Sequence, residues 1–212
     1  MKTVKYIGAV LLCAVILFSL AACTNRDSVE LVGTWEAEFD ISEYLNAAID
    51  EEMGEYAEFF RTDKLTMVLT VIYSEDETYE MYVDADAFEE ELESLIPAYT
   101  EGYKKAYEYV AGQNGTSADA LLSETGKTYE EMARDFVGAL DPEAMAEALH
   151  MKGLYFARDG KIFRSNSFDE KVNRERWETY GLTEEGILTV NEYVGDDADS
   201  NPFVYPMTFK RK

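Results

Sequence analysis

The chain has 212 residues, of which 43 are acidic and 19 are basic, so its formal net charge is −24. A surface this acidic repels the phosphates of nucleic acids, and we therefore expect no nucleic-acid partner. Hydrophobic residues make up 47% of the chain, enough for one sizeable core in a single domain.

The first 22 residues have the layout of a secretory signal peptide. Lys2 and Lys5 give a positive start, residues 7–20 form an apolar run, and small residues follow. This apolar run is too short, and wrongly flanked, for a stable membrane span. We therefore expect the leader to direct the rest of the chain out of the cytoplasm.

The leader ends in Leu20-Ala21-Ala22-Cys23, which resembles the lipobox of bacterial lipoproteins. The resemblance implies cleavage before Cys23, lipidation of its sulfur, and a domain anchored at the extracytoplasmic face of the cell membrane. Two or more acyl chains hold a protein stably on a bilayer. Residues 23–30 would then be a short polar tether. The alternatives are a plain signal peptide with a coincidental cysteine, or an uncleaved anchor.

Cys13 lies inside the leader and is the only other cysteine of the chain. Once Cys23 carries lipid, the mature domain has no cysteine for a disulfide or for thiol chemistry, although disulfides are allowed outside the cell.

Strand and helix patterns alternate after the tether. In residues 31–40 the apolar and charged side chains alternate, which predicts a half-buried strand. Residues 41–60 change to a helical period that can break at Gly54. Residues 64–73 and 78–83 alternate again on either side of a polar turn, which predicts a hairpin.

Residues 84–150 have a different composition, in which alanine, glutamate and leucine replace the β-branched residues. Four helices can be drawn here. The longest covers residues 86–111, and we expect Pro97 to kink it because proline removes a backbone donor. Thr128 and Glu131 form a capping box for the third helix, and an Asp-Pro pair opens the fourth.

Five more strands follow, at residues 152–157, 161–165, 175–180, 187–193 and 203–211. Strands that come in hairpin pairs do not form parallel βαβ units, and eight up-and-down strands close naturally into a small barrel. The prediction is a mainly β, α+β domain over residues 31–212. It is an antiparallel up-and-down barrel of about eight strands, with a helical insertion at residues 84–150 between strands 3 and 4.

The first strand carries Gly33-Thr34-Trp35, which resembles the G-x-W motif of lipocalin and other calycin barrels. In those families the tryptophan plugs the closed end of the barrel, and a basic residue near the last strand covers it. The resemblance implies this barrel-closure role for Gly33, Trp35 and Arg211, with Lys210 as the weaker candidate for the basic residue. The helical insertion departs from the lipocalin pattern, in which a single helix follows the last strand.

The layout as a whole also resembles a group of small lipoproteins from anaerobic Gram-positive bacteria. The shared features are the Gly-Thr-Trp motif, a helical insertion and the closing pattern Tyr-Pro-x-Thr-Phe-Lys at residues 205–210. This group has no assigned activity, so the resemblance implies a fold and a location only.

The residues of the chain suggest no catalytic group. His150 is the only histidine and lies at a predicted helix end, where a cation interacts favourably with the helix dipole. Acidic runs such as residues 89–91 and 130–131 fall on solvated helix faces, whereas a glycosidase needs two carboxylates across a cleft. Residues 195–201 offer oxygen ligands for calcium but lack the EF-hand spacing. We therefore predict a non-catalytic protein with no metal and no cofactor.

Two functions remain open. If the barrel has a pocket near its mouth, it would bind a small apolar or aromatic ligand; the candidate ligand-binding residues are Phe39, Leu69, Tyr79, Met81 and Tyr205. If the large inward side chains fill the barrel completely, the chain would be an envelope interaction protein. The tyrosine-rich insertion would then contact another protein, because tyrosines are good interface anchors.

Overall fold

The computed structural model describes residues 26–196, 198 and 203–212. The predicted signal peptide, the lipobox, the lipidation site Cys23 and most of the acidic loop at 197–202 lie outside the described residues. Eight strands form a closed antiparallel barrel in sequence order, with the last strand paired to the first. This architecture, with helices inserted between the third and fourth strands, confirms the predicted calycin-like α+β fold.

The strands are β1 Gly33–Asp40, β2 Thr66–Tyr73, β3 Thr78–Val83, β4 Met151–Arg158, β5 Lys161–Arg164, β6 Trp177–Leu182, β7 Ile187–Val194 and β8 Met207–Arg211. The helices are α1 Arg26–Leu31, α2 Ser42–Met53, α3 Ala85–Glu93, α4 Ile96–Asn114, α5 Ala118–Thr125, α6 Tyr129–Gly138 and α7 Pro142–Leu149. A 3-10 helix, Gly54–Phe60, follows α2 at the glycine where the sequence predicts a break.

The up-and-down order divides the connections between the two ends of the barrel. At one end, which we call the closed end, α1 enters β1 and short turns join β2 to β3, β4 to β5 and β6 to β7. All the long connections lie at the other end, which we call the open end. These are α2 with the 3-10 helix, the insertion α3 to α7, the loop 165–176 and the loop 195–206.

The second half of the predicted tether is a helix and not an extended linker. In α1 the hydroxyl of Ser28 accepts a hydrogen bond from the backbone N–H of Ala157 at 3.0 Å. The hydroxyl of Tyr155 donates to the carbonyl of Ser28 at 3.1 Å, and Leu31 is completely buried. These contacts, made with residues more than a hundred positions away, offset the entropy lost when the segment becomes ordered. The packed domain therefore includes α1.

The interior of the barrel is a filled hydrophobic core near the closed end. Trp35 from β1 and Phe209 from β8 belong to this one core, at 0% and 2% exposure. Other fully buried side chains of this core are Leu69, Val71, Tyr73, Met81, Tyr155, Leu188 and Val190. A core of side chains this large leaves space for a ligand only away from the closed end.

The predicted long helix with a kink at Pro97 is wrong. The structure has two helices there, because α3 ends at Glu93 and α4 begins at Ile96. Pro97 lies in the first turn of α4, where a backbone N–H has no partner inside the helix in any case. The proline therefore begins a helix instead of bending one. Within the part of the chain that the structure describes, no helix is long and apolar enough to cross a bilayer.

The last strand is shorter than predicted and begins at Met207 instead of residue 203. Pro206 has no backbone N–H to give to a strand partner, which explains why strand pairing starts after it. Tyr205 therefore lies in the connection before β8 and not in the strand predicted for residues 203–211.

Candidate binding cleft

The structure brings together the three residues to which the calycin resemblance assigns barrel closure. Trp35 and Arg211 are register partners across β1 and β8, and the guanidinium carbon of Arg211 lies 4.6 Å from the centre of the Trp35 ring. Gly33 has φ 141°, and a Cβ at this position would lie 3.5 Å from Nε of Arg211. Lys210 is the register partner of Glu36 and not of Trp35, so Arg211 is the basic residue that covers the tryptophan.

Helix α1 completes the seal at the closed end. The indole N–H of Trp35 donates to the carbonyl of Leu31 at 2.7 Å. Nη2 of Arg211 donates to the carbonyls of Glu30 at 2.9 Å and Val32 at 3.1 Å. Backbone carbonyls at the end of a helix are good acceptors for a cation. The closed end is therefore a structural plug, and space for a ligand is expected only at the opposite end.

The five predicted ligand-binding residues lie in different environments. Leu69 and Met81 are 0% and 1% exposed within the filled core, so they are packing residues and do not line a pocket. Phe39 is partly buried and packs against the core near the open end. Tyr79 lines the cleft described next, and Tyr205 is hydrogen-bonded to a residue of that cleft.

The cleft has a volume of about 430 Å³ and lies between strands β3 to β7, the loop 165–176, α7 and the segment before β8. This volume is within the range of small-molecule sites. The lining residues are Tyr79, Ala148, Leu149, Met151, Ile162, Arg164, Ser165, Asn166, Glu170, Lys171, Asn173, Arg176, Trp177, Glu178, Tyr193 and Phe203. We call this site the open-end cleft.

A close backbone approach shapes one wall of the cleft. After β5 the chain crosses over Gly153 of β4, where a Cβ would lie only 2.0 Å from the carbonyl oxygen of Ser165. Any side chain at position 153 would push this crossing outward. The hydroxyl of Ser165 accepts from the backbone N–H of Leu154 at 3.1 Å and donates to the carbonyl of Ser167 at 2.9 Å. The start of the loop 165–176 is therefore held against β4.

A buried ion pair forms the floor of the cleft. Nη1 of Arg164 lies 2.6 Å from Oε2 of Glu178, and the two side chains are only 14% and 6% exposed. Nη2 of Arg164 donates a short hydrogen bond to the hydroxyl of Tyr73. The hydroxyl of Tyr205 donates to Oε1 of Glu178 at 2.9 Å. The pair joins β5, β6 and the segment before β8, so its geometry depends on the closed barrel.

The charge of Arg164 is permanent in this setting. Burial by itself would lower the pKa of Arg164, but the carboxylate of Glu178 and the phenols of Tyr73 and Tyr79 more than offset this effect. The pKa of Arg164 is therefore raised above its ordinary value. Burial raises the pKa of Tyr73 to about 12, so this phenol is neutral at physiological pH. Nε of Arg164 is buried and has no hydrogen-bond partner among the described residues.

Aromatic and cationic side chains form the rim. Trp177 lines the cleft and packs against Phe163 with ring centres 6.4 Å apart. Nζ of Lys161 lies 4.3 Å from the centre of the Trp177 ring. Nε of Arg176 is 3.0 Å from Oδ1 of Asp196, in a largely exposed pair. Lys161 and Phe163 are not among the lining residues and therefore lie beside the cleft. The site thus combines a fixed polar floor with aromatic and charged residues in its lining.

The sequence reasoning overlooked Arg164 and Glu178, although a signal for them was present. Both occupy inward positions of predicted strands, two residues from Ile162 and Tyr180 respectively, and a charge at such a position requires a buried partner. The register that places Ile162 opposite Glu178 supplies this partner. His150 lies at the end of α7 as predicted and pairs with Glu80 of β3 at 2.8 Å.

Comparison with known proteins assigns no family to this chain. It matches no protein-family model, and no curated protein or solved structure is significantly similar to it. Across the described ranges, no group of three or more His, Cys, Asp or Glu side chains is placed to hold a metal ion. A fold does not define a function, so the function has to be inferred from the chemistry of the open-end cleft.

Proposed function

We propose that the chain is a membrane-anchored, extracytoplasmic lipoprotein that binds a small apolar or aromatic ligand in the open-end cleft. The observation that carries the proposal is the cleft of about 430 Å³ with a fixed polar floor and the aromatic side chains Tyr79, Trp177 and Phe203 in its lining. Concave sites of this size, with few and well-placed polar groups, are typical of small-molecule binding.

A non-catalytic role agrees with the chemistry of the floor. Oε1 of Glu178 accepts a hydrogen bond from Tyr205. Oε2 lies 2.6 Å from Nη1 of Arg164 in the ion pair but has no hydrogen-bond partner among the described residues. A general acid or base must be free to exchange a proton with a substrate, whereas Glu178 neutralises a buried cation. Its role in the proposal is to hold the floor of the cleft in place.

The alternative, an envelope protein that binds a partner through the insertion, has weaker support. Tyr99 and Tyr103 pack against Phe60 of the 3-10 helix, with ring centres 6.1 and 4.8 Å apart. Among the described residues of the insertion, Tyr109 is the one exposed large hydrophobic side chain, at 42%. A protein-binding surface normally shows a larger contiguous apolar patch. The tyrosines of the insertion thus serve mainly to attach it to the domain.

The anchor can be tested at Cys23. In cells given an alkyne-tagged fatty acid, we expect the wild-type protein to carry the label and Cys23→Ser to lose it, because serine has no thiol to lipidate. Cys13→Ser is the matched control: it makes the same change within the leader, and we expect it to keep the label. Equal labelling of Cys23→Ser and wild type would show that the anchor proposal is wrong.

The cleft can be tested by filling it from the side of α7. Ala148 lines the cleft and is exposed, so Ala148→Trp can project a large ring into the cleft without disturbing the core. We expect this variant to bind the neutral fluorophore N-phenyl-1-naphthylamine at least about tenfold more weakly than wild type, because its ring occupies ligand volume. The measurement is a fluorescence titration.

Ala144→Trp is the control for this experiment. Ala144 is also exposed on α7 but is not among the residues that line the cleft. We expect it to bind the fluorophore like wild type, and both variants to unfold at the wild-type urea concentration. If the two tryptophan variants bind alike, the fluorophore does not occupy the open-end cleft, and the proposal fails.

A further inference from the structure

Helix α1 determines where the chain enters the packed domain. The helix begins at Arg26. In its first turn, a carboxylate oxygen of Asp27 accepts a hydrogen bond from the backbone N–H of Asp159 at 2.6 Å. The hydroxyl of Ser28 accepts from the backbone N–H of Ala157 at 3.0 Å. Asp159 lies in the turn between β4 and β5, so the chain enters the domain at the closed end.

Because α1 is part of the domain, little chain remains to act as a tether. The proposed lipidation site, Cys23, precedes Arg26 by only three positions. Three fully extended residues span at most about 10 Å. Since the acyl chains hold Cys23 at the surface of the bilayer, the start of α1 must stay within about this distance of the lipid headgroups.

The open-end cleft lies farther from α1 than the tether can reach. Met151 lines the cleft, and Arg158 precedes the turn that contacts α1, so these two residues mark the opposite ends of β4. The seven steps between them rise about 23 Å along the strand, or about 18 Å along the axis of a barrel with strands tilted by about 40°. If the open end rested on the bilayer, α1 would be at least this far from it. A tether of about 10 Å excludes that orientation.

The charge of the domain disfavours contact between the sides of the barrel and an anionic bilayer. The leader contains two of the 19 basic residues and none of the 43 acidic ones, so the chain after residue 22 has a net charge of −26. Anionic headgroups repel such a domain over about 8 Å at physiological ionic strength, a distance comparable with the length of the tether. The tether therefore brings α1 near the lipid, and repulsion keeps the rest of the domain away.

We propose that the anchored domain is oriented with its closed end toward the bilayer and with the open-end cleft facing away from it. The inference rests on the proposed function, because it requires the anchor at Cys23, and it specifies the source of the ligand. The cleft takes its ligand from the aqueous phase and not from the membrane lipids. The partner of the closed end is the lipid surface.

Fluorescence energy transfer can measure the height of each end of the barrel above the bilayer. In the lipidated mature protein Cys23 carries the lipid, and the leader with Cys13 has been removed, so one added cysteine can carry a donor dye. Lipidated protein is reconstituted into vesicles of phosphatidylethanolamine and phosphatidylglycerol that carry an acceptor dye on some headgroups. Transfer falls steeply with the distance between donor and acceptor.

Four variants place the donor at the two ends. Glu75→Cys and Glu185→Cys lie in exposed turns of the closed end, and Ala148→Cys and Lys171→Cys lie in the lining of the cleft. We expect both closed-end donors to transfer at least about threefold more efficiently than both cleft donors, because the two ends differ in height by about 18 Å.

A lengthened tether is the matched control. About 20 glycine and serine residues inserted between Asn25 and Arg26 form a flexible linker with a root-mean-square span of about 25 Å, which exceeds the height of the barrel. We expect the two ends to show similar transfer in this chain, because the tether no longer limits its orientation. The lengthened protein should unfold at the wild-type urea concentration.

Collisional quenching by acrylamide, which remains in the aqueous phase, measures access to the same dyes. We expect the dyes of Ala148→Cys and Lys171→Cys to be quenched equally in the anchored protein and in a mature chain with Cys23→Ser, which has no anchor. The dyes of Glu75→Cys and Glu185→Cys should be quenched less when the protein is anchored. Protection of the cleft dyes by the anchor would contradict access from the aqueous phase.

The outcomes separate this inference from the proposed function. Equal transfer from both ends with the natural tether, or greater transfer from the cleft, overturns the orientation, whereas fluorophore binding that Ala148→Trp weakens still supports the binding function. If Ala148→Trp leaves fluorophore binding unchanged but the two ends differ in transfer as expected, the binding function alone is overturned. If Cys23→Ser keeps the fatty-acid label, the anchor and the orientation are both overturned.

Discussion

Replacing Glu178 with leucine is expected to lower the free energy of unfolding by about 3–5 kcal/mol, because it leaves a buried cation without its counterion. Arg164 is only 14% exposed, and its neighbours Tyr73 and Tyr79 are neutral phenols. The intrinsic pKa of an arginine is so high that the side chain does not escape this penalty by losing its proton. The measurement is urea unfolding followed by far-ultraviolet circular dichroism.

The double variant Arg164→Met, Glu178→Leu is the control for this prediction. Removing both charges together also removes the desolvation penalty, and buried ion pairs replaced by apolar residues are often neutral in stability. We expect the double variant to recover most of the loss. If Glu178→Leu is as stable as wild type, Arg164 is solvated in solution, and the polar floor of the open-end cleft is not the buried pair described above.

Replacing Trp35 with alanine is expected to lower the free energy of unfolding by about 3–5 kcal/mol. The side chain is completely buried, its N–H bonds to Leu31, and Arg211 lies over its ring. The variant loses the buried apolar surface, leaves a cavity at the closed end and breaks one of the hydrogen bonds that attach α1. Urea unfolding measures the loss, and hydrogen exchange should show faster exchange of the backbone N–H of Ala157, which bonds to α1.

Trp177→Ala is the matched control, since it removes the same side chain from a position that is only partly buried at the rim of the cleft. Its cost should be below about half of that for Trp35→Ala, because less apolar surface is lost from the interior. Equal losses at both positions would contradict the role of Trp35 as the plug of the barrel.

Much of the fold was predictable because its strands and helices follow from the local periodicity of apolar and polar residues. Residues 64–73 alternate between faces, and the structure has β2 at Thr66–Tyr73, where the predicted inward residues Met67, Leu69, Val71 and Tyr73 are all buried. The caps of the insertion were predictable for the same reason: Thr128 and Glu131 form the predicted capping box. Such signals involve residues within a few positions of one another, so the sequence contains them in full.

The predictions that were wrong concern segments in which long-range contacts outweigh the local conformational preference of the residues. Helix α1 has six residues, too few to be stable alone, and it forms because Ser28 and Leu31 find partners on the barrel. Long-range packing also determines the structure of residues 86–111, because it decides whether Pro97 bends one helix or begins another.

The candidate site was predictable only in part. Because side chains alternate between the two faces of a strand, the sequence predicts that Tyr79 points into the barrel, and the structure places it in the lining of the cleft. The same alternation predicts that Leu69 and Met81 face inward, and they do, but they lie in the filled core. Alternation distinguishes the two faces of a strand. How far along the barrel the core is filled, and where space for a ligand begins, depends on the volumes of all the inward side chains together.

By itself, the sequence of this protein determined the approximate strands, the eight-stranded order and the place of the insertion, because each depends on a local pattern or a short motif. Only the tertiary structure decided that α1 seals the closed end, that Arg164 meets Glu178, and that a cleft remains at the open end. The physical reason is that these features depend on register and closure, which join segments far apart in the chain. A local sequence pattern does not show which distant segments come into contact in the folded chain.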